Sequence, residues 1–134
     1  MEIRKLFPSE YDEVYMLIKR TINEVLSKDY SPAIIDNMIA VDANRPRDTA
    51  HERDYFVAIQ KSKIVGIIGV KANEIKTFFV DPQFRGKGIG TELLQFAEKQ
   101  ICNKGYGEVM VYSTVSGRTF YEKNGFTCIE KKVR

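Results

Sequence analysis

Hydrophobic residues recur at two spacings along the first third of the chain, and each spacing predicts a different element. Residues 2–6 alternate between apolar and polar positions, which predicts a short strand. Over residues 9–27 the apolar positions recur every three or four residues, which predicts an amphipathic helix with Ser9 as its cap. Ser31 followed by Pro32 then predicts the start of a second, shorter helix.

The rest of the chain alternates between strand and helix patterns. Three runs rich in β-branched and aromatic residues predict strands joined by short polar turns, at residues 55–60, 63–70 and 74–80. A helix over 88–104, a strand over 108–113, a short helix over 116–123 and a last strand over 126–133 are predicted to follow. The order β-α-α-β-β-β-α-β-α-β predicts an α/β domain with a mixed sheet.

Composition and charge narrow the classes of protein. The length of 134 residues, with 43% hydrophobic and 29% charged residues, predicts a single globular domain over residues 1–134. A net charge of +3 does not indicate a nucleic-acid or membrane binder. No apolar run approaches the ~18 residues of a membrane helix, and the N-terminus has no signal-peptide pattern. The charged segment 44–54 is expected to be a mobile loop within the domain.

Cysteine and histidine usage argues against a metal site. Cys102 and Cys128 are isolated from each other, and His51 is the single histidine, so the spacing typical of a zinc site is missing. Both cysteines are expected to be small core residues of a protein in the reducing cytoplasm.

The most informative segment lies between the predicted strand 74–80 and the helix that follows it. Gly86, Gly88 and Gly90 occupy alternate positions, and Arg85 and Lys87 stand among them. Glycine allows a ligand to approach the backbone closely, and a helix N-terminus with free N–H groups attracts anions. The pattern therefore predicts a phosphate or pyrophosphate site, with a glycine-rich turn that binds nothing as the alternative.

Two well-known phosphate motifs do not fit this segment. A dinucleotide fingerprint requires Gly-x-Gly-x-x-Gly directly after a strand, whereas the spacing here is Gly-x-Gly-x-Gly and follows the strand by several residues. A P-loop requires Ser or Thr after its lysine, and Lys87 is followed by Gly88.

The run Arg-Gly-Lys-Gly-Ile-Gly at 85–90 resembles the Arg/Gln-x-x-Gly-x-Gly/Ala signature of the GNAT superfamily of acetyl-CoA-dependent N-acetyltransferases. Phe-Val-Asp-Pro at 79–82 looks like the fourth strand and turn of that family. Phe-Tyr-Glu-Lys-Asn-Gly-Phe at 120–126 is similar to its second motif, Phe-Tyr-x-x-x-Gly-Phe. The resemblance covers about residues 55–130 and implies the GNAT-like acyl-CoA N-acyltransferase fold.

The resemblance implies a site for acetyl-CoA as co-substrate, without a metal, between a splayed fourth and fifth strand. The pantetheine arm would pair with the backbone of Phe78, Phe79 and Val80, and the N–H of Val80 would polarise the thioester carbonyl. Thr114 stands where the family usually has Asn, and its hydroxyl could hydrogen-bond the pantetheine. The pyrophosphate and its surroundings would be bound by Arg85, Gly86, Lys87, Gly88, Ile89, Gly90 and Thr91.

The same resemblance suggests two catalytic groups. Glu74 is the candidate base for the amine, directly or through water, and its even spacing from Val80 predicts that both side chains lie on one face of the strand. Tyr121 matches the family's tyrosine that protonates the leaving thiolate, and a phenol pKa of ~10 suits an alkyl thiol. The alternatives are a solvated carboxylate at a strand end for Glu74 and a packing or hydrogen-bonding role for Tyr121.

The implied activity is N-acetyl transfer from acetyl-CoA to a primary amine of a small molecule or peptide, by direct attack in a ternary complex. In the family the first two helices and their loop shape the acceptor pocket, which here involves Tyr15, Tyr30, Met38 and residues 44–54, although Tyr15 and Met38 also fit the core. The alternative is a non-catalytic CoA- or acyl-CoA-binding module. Few residues follow the last predicted strand, so a homodimer is a further expectation, in which a partner subunit completes the edge of the sheet.

Overall fold

A mixed sheet forms the centre of the fold. The computed structural model describes residues 1–113 and 117–129, and within them five strands lie in the order β1-β2-β3-β4-β5. The pairs β1–β2, β2–β3 and β3–β4 are antiparallel, and the pair β4–β5 is parallel. The strands are β1 (Glu2–Lys5), β2 (Asp54–Gln60), β3 (Lys63–Lys71), β4 (Glu74–Val80) and β5 (Met110–Val111).

The helices cover both faces of this sheet. They are α1 (Tyr11–Leu26), α2 (Pro32–Asp42), α3 (Arg45–Asp48), α4 (Ile89–Asn103) and α5 (Arg118–Lys123), with 3-10 turns at Pro8–Glu10 and Pro82–Phe84. The face covered by α1 and α2, called the α1 face below, buries the helix residues Val14, Leu17, Ile18, Ile22, Ile35 and Ile39 against Tyr55, Val57, Ile64 and Ile67. The opposite face, the α4 face, buries Ile89, Leu93, Leu94, Ala97 and Ile101 against Phe56, Ala58, Val65, Ile68, Val70 and Ile75.

Most of the local turn chemistry follows the sequence. Lys61 and Ser62 join β2 to β3 with φ values of 51° and 62°, which is the conformation of a two-residue hairpin turn. The side chain of Ser31 accepts a hydrogen bond from the N–H of Ile34 at 3.4 Å, as expected of a helix cap. The mixed α/β fold class is confirmed.

Two predictions in the first half of the chain were wrong. Ser9 does not cap α1, because it lies inside the 3-10 turn that precedes the helix; instead the Glu10 carboxylate accepts a hydrogen bond from the N–H of Phe7 at 2.9 Å. The segment 44–54 is not an unstructured loop, since it contains α3 and buries Pro46.

The cysteines were also placed wrongly. Cys102 and Cys128 are both exposed. Cys102 lies on the outer side of α4, where the adjacent Ile101 occupies the buried position.

The C-terminal part of the chain contains less strand than predicted. The strand expected at 108–113 is limited to Met110–Val111, which pair with Glu74 and Ile75 at the start of β4. Residues 126–129 form no strand, and the rest of the predicted strand 126–133 lies outside the described residues. No helix within the described ranges is both long enough and apolar enough to cross a bilayer.

Candidate functional site

Strand β4 has a paired half and an open half on the side of β5. Among the described residues, β5 pairs with Glu74 and Ile75, and no strand continues this pairing towards Val80. As far as the described residues extend, this side of the second half of β4 has no neighbouring strand, and it is called the gap below. The resemblance implies that the fourth and fifth strands splay apart here.

The ladder with β3 determines which backbone groups face that gap. The N–H of Asp81 donates to the carbonyl of Val65 at 2.9 Å, so the ladder directs the groups of Asp81 and, two residues earlier, Phe79 towards β3. The intervening residues Phe78 and Val80 direct their N–H and C=O groups away from β3. The gap is therefore lined by the backbone of Phe78 and Val80, whereas the backbone of Phe79 faces the neighbouring strand.

A β-bulge changes the faces of β4. Val70 pairs with Ile75 but Gly69 pairs with Thr77, so Lys76 is an extra residue in β4. The extra residue reverses the alternation between the two halves of the strand. The expectation that Glu74 and Val80 share a face was therefore wrong.

The register places the two side chains on opposite faces. Glu74 pairs with Lys71, the neighbour of the buried α4-face residue Val70, so Glu74 lies on the α1 face. Val80 pairs with Gly66, where a Cβ atom would lie 2.7 Å from Cδ1 of Leu93 in α4. Val80 therefore lies on the α4 face.

Asp81 fixes the turn after β4, and sequence analysis did not identify its role. The carboxylate is completely buried. Its Oδ1 accepts a hydrogen bond from the N–H of Gln83 at 3.0 Å, and its Oδ2 accepts one from Nη2 of Arg20 at 2.6 Å. Asp81 caps the 3-10 turn and also ties it to α1. The Asp-Pro sequence signals the cap, but nothing local signals the ion pair.

The glycine-rich segment forms a cradle of backbone donors. Gly86 and Gly88 have φ values of 74° and 78°, and a Cβ atom added to either would meet nothing within 4 Å. Gly88 is the N-cap of α4 and has no side-chain cap. Within the described ranges, no acceptor meets the N–H groups of the first helical turn, those of Gly88, Ile89, Gly90 and Thr91.

The surroundings of the cradle are positively charged and open. Arg85 and Lys87 are exposed beside it, and Nζ of Lys87 lies 5.5 Å from the centroid of the Phe84 ring. Free N–H groups at a helix N-terminus together with two cations form a site for an anion. The residues fit a pyrophosphate group.

Tyr121 belongs to an aromatic cluster that sequence analysis only partly identified. Its ring lies 6.3 Å from Phe78, 5.4 Å from Phe120 and 5.5 Å from Phe126, measured between centroids. A Cβ atom on Gly90 would lie 3.4 Å from the Phe120 ring, so glycine allows α5 to approach the start of α4 closely. The cluster places Tyr121 beside Phe78, at the gap.

The environment of Tyr121 alters its acidity. Burial raises the pKa of its phenol to about 12, because desolvation disfavours the phenolate. The phenol is therefore a weaker acid than the free phenol, with a pKa of ~10, that was expected to suit an alkyl thiol. It remains protonated throughout the neutral range and is available as a hydrogen-bond donor.

Glu74 lies where β4 and β5 are still paired. Its Oε2 forms an ion pair with Nζ of Lys76, and its side chain is 21% exposed. At ~3.3 Å per strand residue, about 13 Å of strand separates Glu74 from Phe78 and about 20 Å separates it from Val80. Phe78 is thus the nearer of the two residues whose N–H groups face the gap.

The remaining candidates divide between core and surface. Tyr15 and Met38 pack against the α1-face core, whereas Tyr30 is 40% exposed and His51 is exposed. Thr114 lies outside the described residues.

The comparisons with known proteins identify the family. The model of a family described as an acetyltransferase (GNAT) domain matches residues 24–134. The chain therefore belongs to the GNAT family of acetyltransferases, and the resemblance found in the motifs is confirmed. The proteins of this family are acetyltransferases.

Named relatives fall within the same family. The chain is 25% identical to an uncharacterized N-acetyltransferase of Escherichia coli over 98% of its own length and 85% of that protein. It is 38% identical to one from Chlorobaculum tepidum over 61% of its own length and 55% of that protein.

Solved structures extend the similarity to the whole fold. The PaiA N-acetyltransferase from Thermoplasma acidophilum, solved in complex with coenzyme A, is 26% identical with a TM-score of 0.83, over 98% of this chain and 92% of that one. A GCN5-related N-acetyltransferase from Rhodopseudomonas palustris is 19% identical with a TM-score of 0.88, over 98% and 84% of the two chains. The second likeness concerns the fold alone.

Proposed function

We propose that the protein transfers the acetyl group of acetyl-CoA to a primary amine of a small molecule or peptide, by direct attack in a ternary complex. The observation that carries the proposal is the cradle of free N–H groups at the start of α4, beside the gap along β4. The coenzyme A complex of the Thermoplasma acidophilum relative supports this choice of donor. The residues from Arg85 to Thr91 are assigned to the pyrophosphate.

The open half of β4 is assigned to the pantetheine arm. The backbone groups of Phe78 and Val80 face the gap and can pair with an extended ligand as a further strand would. Either N–H can donate to a carbonyl oxygen that lies there, as an oxyanion donor does. The resemblance favours Val80. The ring contact with Tyr121 and the shorter span to Glu74 favour Phe78.

The catalytic groups divide between the two faces of the sheet. Glu74 lies on the α1 face and is assigned to accept the amine proton, through water given its distance from the gap. Tyr121 lies on the α4 face and is assigned to donate to the leaving sulfur. Acetyl-CoA supplies the activated acyl group: the bond from nitrogen to the acetyl carbon forms as the bond from that carbon to sulfur breaks.

The elevated pKa of Tyr121 affects how its role is understood. A phenol with a pKa of about 12 is a weaker acid than the departing alkyl thiol and does not fully protonate its thiolate, but its hydrogen bond stabilises the charge that develops on sulfur. A site that excludes enough water to raise the pKa of a phenol also raises the pKa of a thiol. The difference between the two pKa values is therefore smaller than the shift of the phenol alone suggests.

A module that binds CoA without turnover is the second candidate. The ion pair between Glu74 and Lys76 favours it, because a base engaged by a lysine is less available to an amine.

One experiment separates the two candidates. Acetyl-CoA is titrated into the full chain by calorimetry, and thiol release is then followed with a panel of amines, amino acids and short peptides. Binding together with amine-dependent thiol release is expected of the transferase. Binding without release would support the module, and no heat from a folded sample would contradict both.

A further inference from the structure

A small cavity lies at the end of the sheet opposite the glycine-rich cradle. It has a volume of about 60 Å³ and is lined by Lys5, Leu6, Tyr11, Ala50, Arg53 and Tyr55. The last residue of β1 and the start of β2 border it, and the register places that end beside the start of β4. The cradle follows the other end of β4, so the cavity is separate from the proposed acetyl-CoA site.

Arg53 is the unusual residue of this cavity. Its side chain is only 8% exposed, and its buried Nε atom has no hydrogen-bond partner. A buried guanidinium N–H without an acceptor is unfavourable.

Neighbouring carboxylates do not compensate for this charge. The nearest oxygen, Oε1 of Glu52, lies 4.0 Å from Nε of Arg53, and the other oxygen of that carboxylate lies 3.8 Å from Nζ of Lys71. The carboxylate of Asp54 lies 2.7 Å from Nζ of Lys104 instead. The carboxylates that flank Arg53 in the sequence are therefore directed largely to lysines in the folded chain.

The lining of the cavity suits a small anion. Two of its six residues, Lys5 and Arg53, are cationic and none is acidic, and the ammonium of Lys5 lies 3.9 Å from Oδ1 of Asp54 outside the lining. A cavity of 60 Å³ holds about two water molecules at ~30 Å³ each, or one group with the size of acetate. The planar fork of an arginine matches the two oxygens of a carboxylate or phosphate.

We propose that this cavity is a binding site for a compact oxyanion, a carboxylate or phosphate group that pairs with the guanidinium of Arg53. The site is separate from the proposed acetyl-CoA site, because none of its residues belongs to the cradle, to the gap along β4 or to the aromatic cluster. Its occupation is expected to stabilise the fold, since the anion binds the native state alone.

The first test compares three proteins in three salts. Unfolding midpoints are measured for the unchanged chain, for Arg53→Met and for Arg45→Met in sodium chloride, acetate and phosphate at equal ionic strength. Arg45 is the matched control, since its Nε also lies 4.0 Å from a carboxylate, that of Asp42, but its side chain is 42% exposed. General salt effects act on all three proteins alike.

The expected result is specific to Arg53. Acetate or phosphate raises the midpoint of the unchanged chain and of Arg45→Met by about 3 °C or more over chloride, and this rise is absent in Arg53→Met. An equal rise in all three proteins would overturn the proposal.

A direct measurement covers the case in which Arg53→Met does not fold. The Nε–H resonance of Arg53 is followed by NMR in the unchanged chain during titration with acetate and, separately, with inorganic phosphate. A saturable shift supports the site, and the anion that causes it distinguishes carboxylate from phosphate. If neither anion moves the resonance, the proposal is wrong.

Discussion

Nη2 of Arg20 in α1 donates a hydrogen bond to the fully buried Oδ2 of Asp81 at 2.6 Å, which ties the first helix to the turn before the glycine-rich cradle. The two residues are 61 positions apart in the chain. The second cation near this carboxylate, Nζ of Lys63, lies at 3.9 Å. The ion pair with Arg20 is therefore the main compensation for a buried charge.

Replacing this arginine tests that conclusion. Arg20→Met is expected to lower the free energy of unfolding by about 3 kcal/mol, because it leaves a buried carboxylate poorly compensated. Adding Asp81→Asn should restore at least about 1 kcal/mol of this loss, because the amide oxygen can still accept from Gln83 without carrying charge. Urea unfolding of both variants provides the measurement, and equal losses in both would contradict the role of the pair.

The cradle can be tested with two glycines at the two ends of α4. Gly88 and Gly105 have φ values of 78° and 95°, and a Cβ atom at either would meet nothing within 4 Å. Alanine at either position should cost about 1–2 kcal/mol of stability, because it is strained at positive φ. Only Gly88→Ala should weaken acetyl-CoA binding, by at least about tenfold, since its methyl group enters the anion site. Titration calorimetry measures the affinity of both variants for acetyl-CoA. Equal losses of affinity in Gly88→Ala and Gly105→Ala would show that the effect is structural.

The backbone donors that face the gap can be removed by proline. Phe78→Pro and Val80→Pro each delete an N–H that the ladder with β3 does not use, so the sheet should tolerate them. We expect Phe78→Pro to lower kcat by about 100-fold, as the loss of an oxyanion donor does, and Val80→Pro to have the smaller effect. Phe78→Val controls for the lost ring. A larger loss in Val80→Pro would instead identify Val80 as the polarising donor.

The phenol beside the gap is expected to act in turnover and not in binding. Tyr121→Phe should lower kcat by about 10- to 1000-fold while the Kd for CoA changes little, because the ring packing is kept and the donor to sulfur is lost. Tyr106→Phe is the matched control, since Tyr106 is 42% exposed and lies outside the aromatic cluster. Steady-state kinetics and calorimetry separate the two effects. Unchanged turnover in Tyr121→Phe would remove the phenol from the mechanism.

The same tyrosine predicts a pH dependence of stability. Its folded pKa of about 12 exceeds the unfolded value of ~10, so the folded state keeps the proton that the unfolded state loses. The contribution is constant below pH 10 and is lost as the pH rises towards 12, by up to about 2–3 kcal/mol. Urea unfolding of the unchanged chain should show this decline, and Tyr121→Phe should show less of it. Identical profiles would contradict the raised pKa.

Local patterns were sufficient for much of the fold. The hairpin at Lys61 and Ser62, the Ser31 cap and the glycine-rich start of α4 each depend on residues within a few positions of one another. The same applies to the motifs that indicated the family. Such features are visible in sequence because their physical cause is local.

The failures share a different cause. The extra residue Lys76 in β4 is visible only against the register of β3, and the pairing of Asp81 requires a residue from α1. Arg53 lies between Glu52 and Asp54 in the sequence, but the carboxylates of these neighbours lie close to Lys71 and Lys104. These features depend on long-range packing, which hydrophobic periodicity does not report.

The bulge at Lys76 means that the length of β4, and not only its composition, decides which face of the sheet carries Glu74. Deleting that one residue would rotate Glu74 by half a turn about the strand axis and bring its carboxylate to the side of the aromatic rings. The proposed proton acceptor, Glu74, and the proposed donor, Tyr121, would then lie on the same face of the sheet. In the proposed mechanism, the separation of the two catalytic groups thus depends on a single inserted position whose side chain need not touch either reactant.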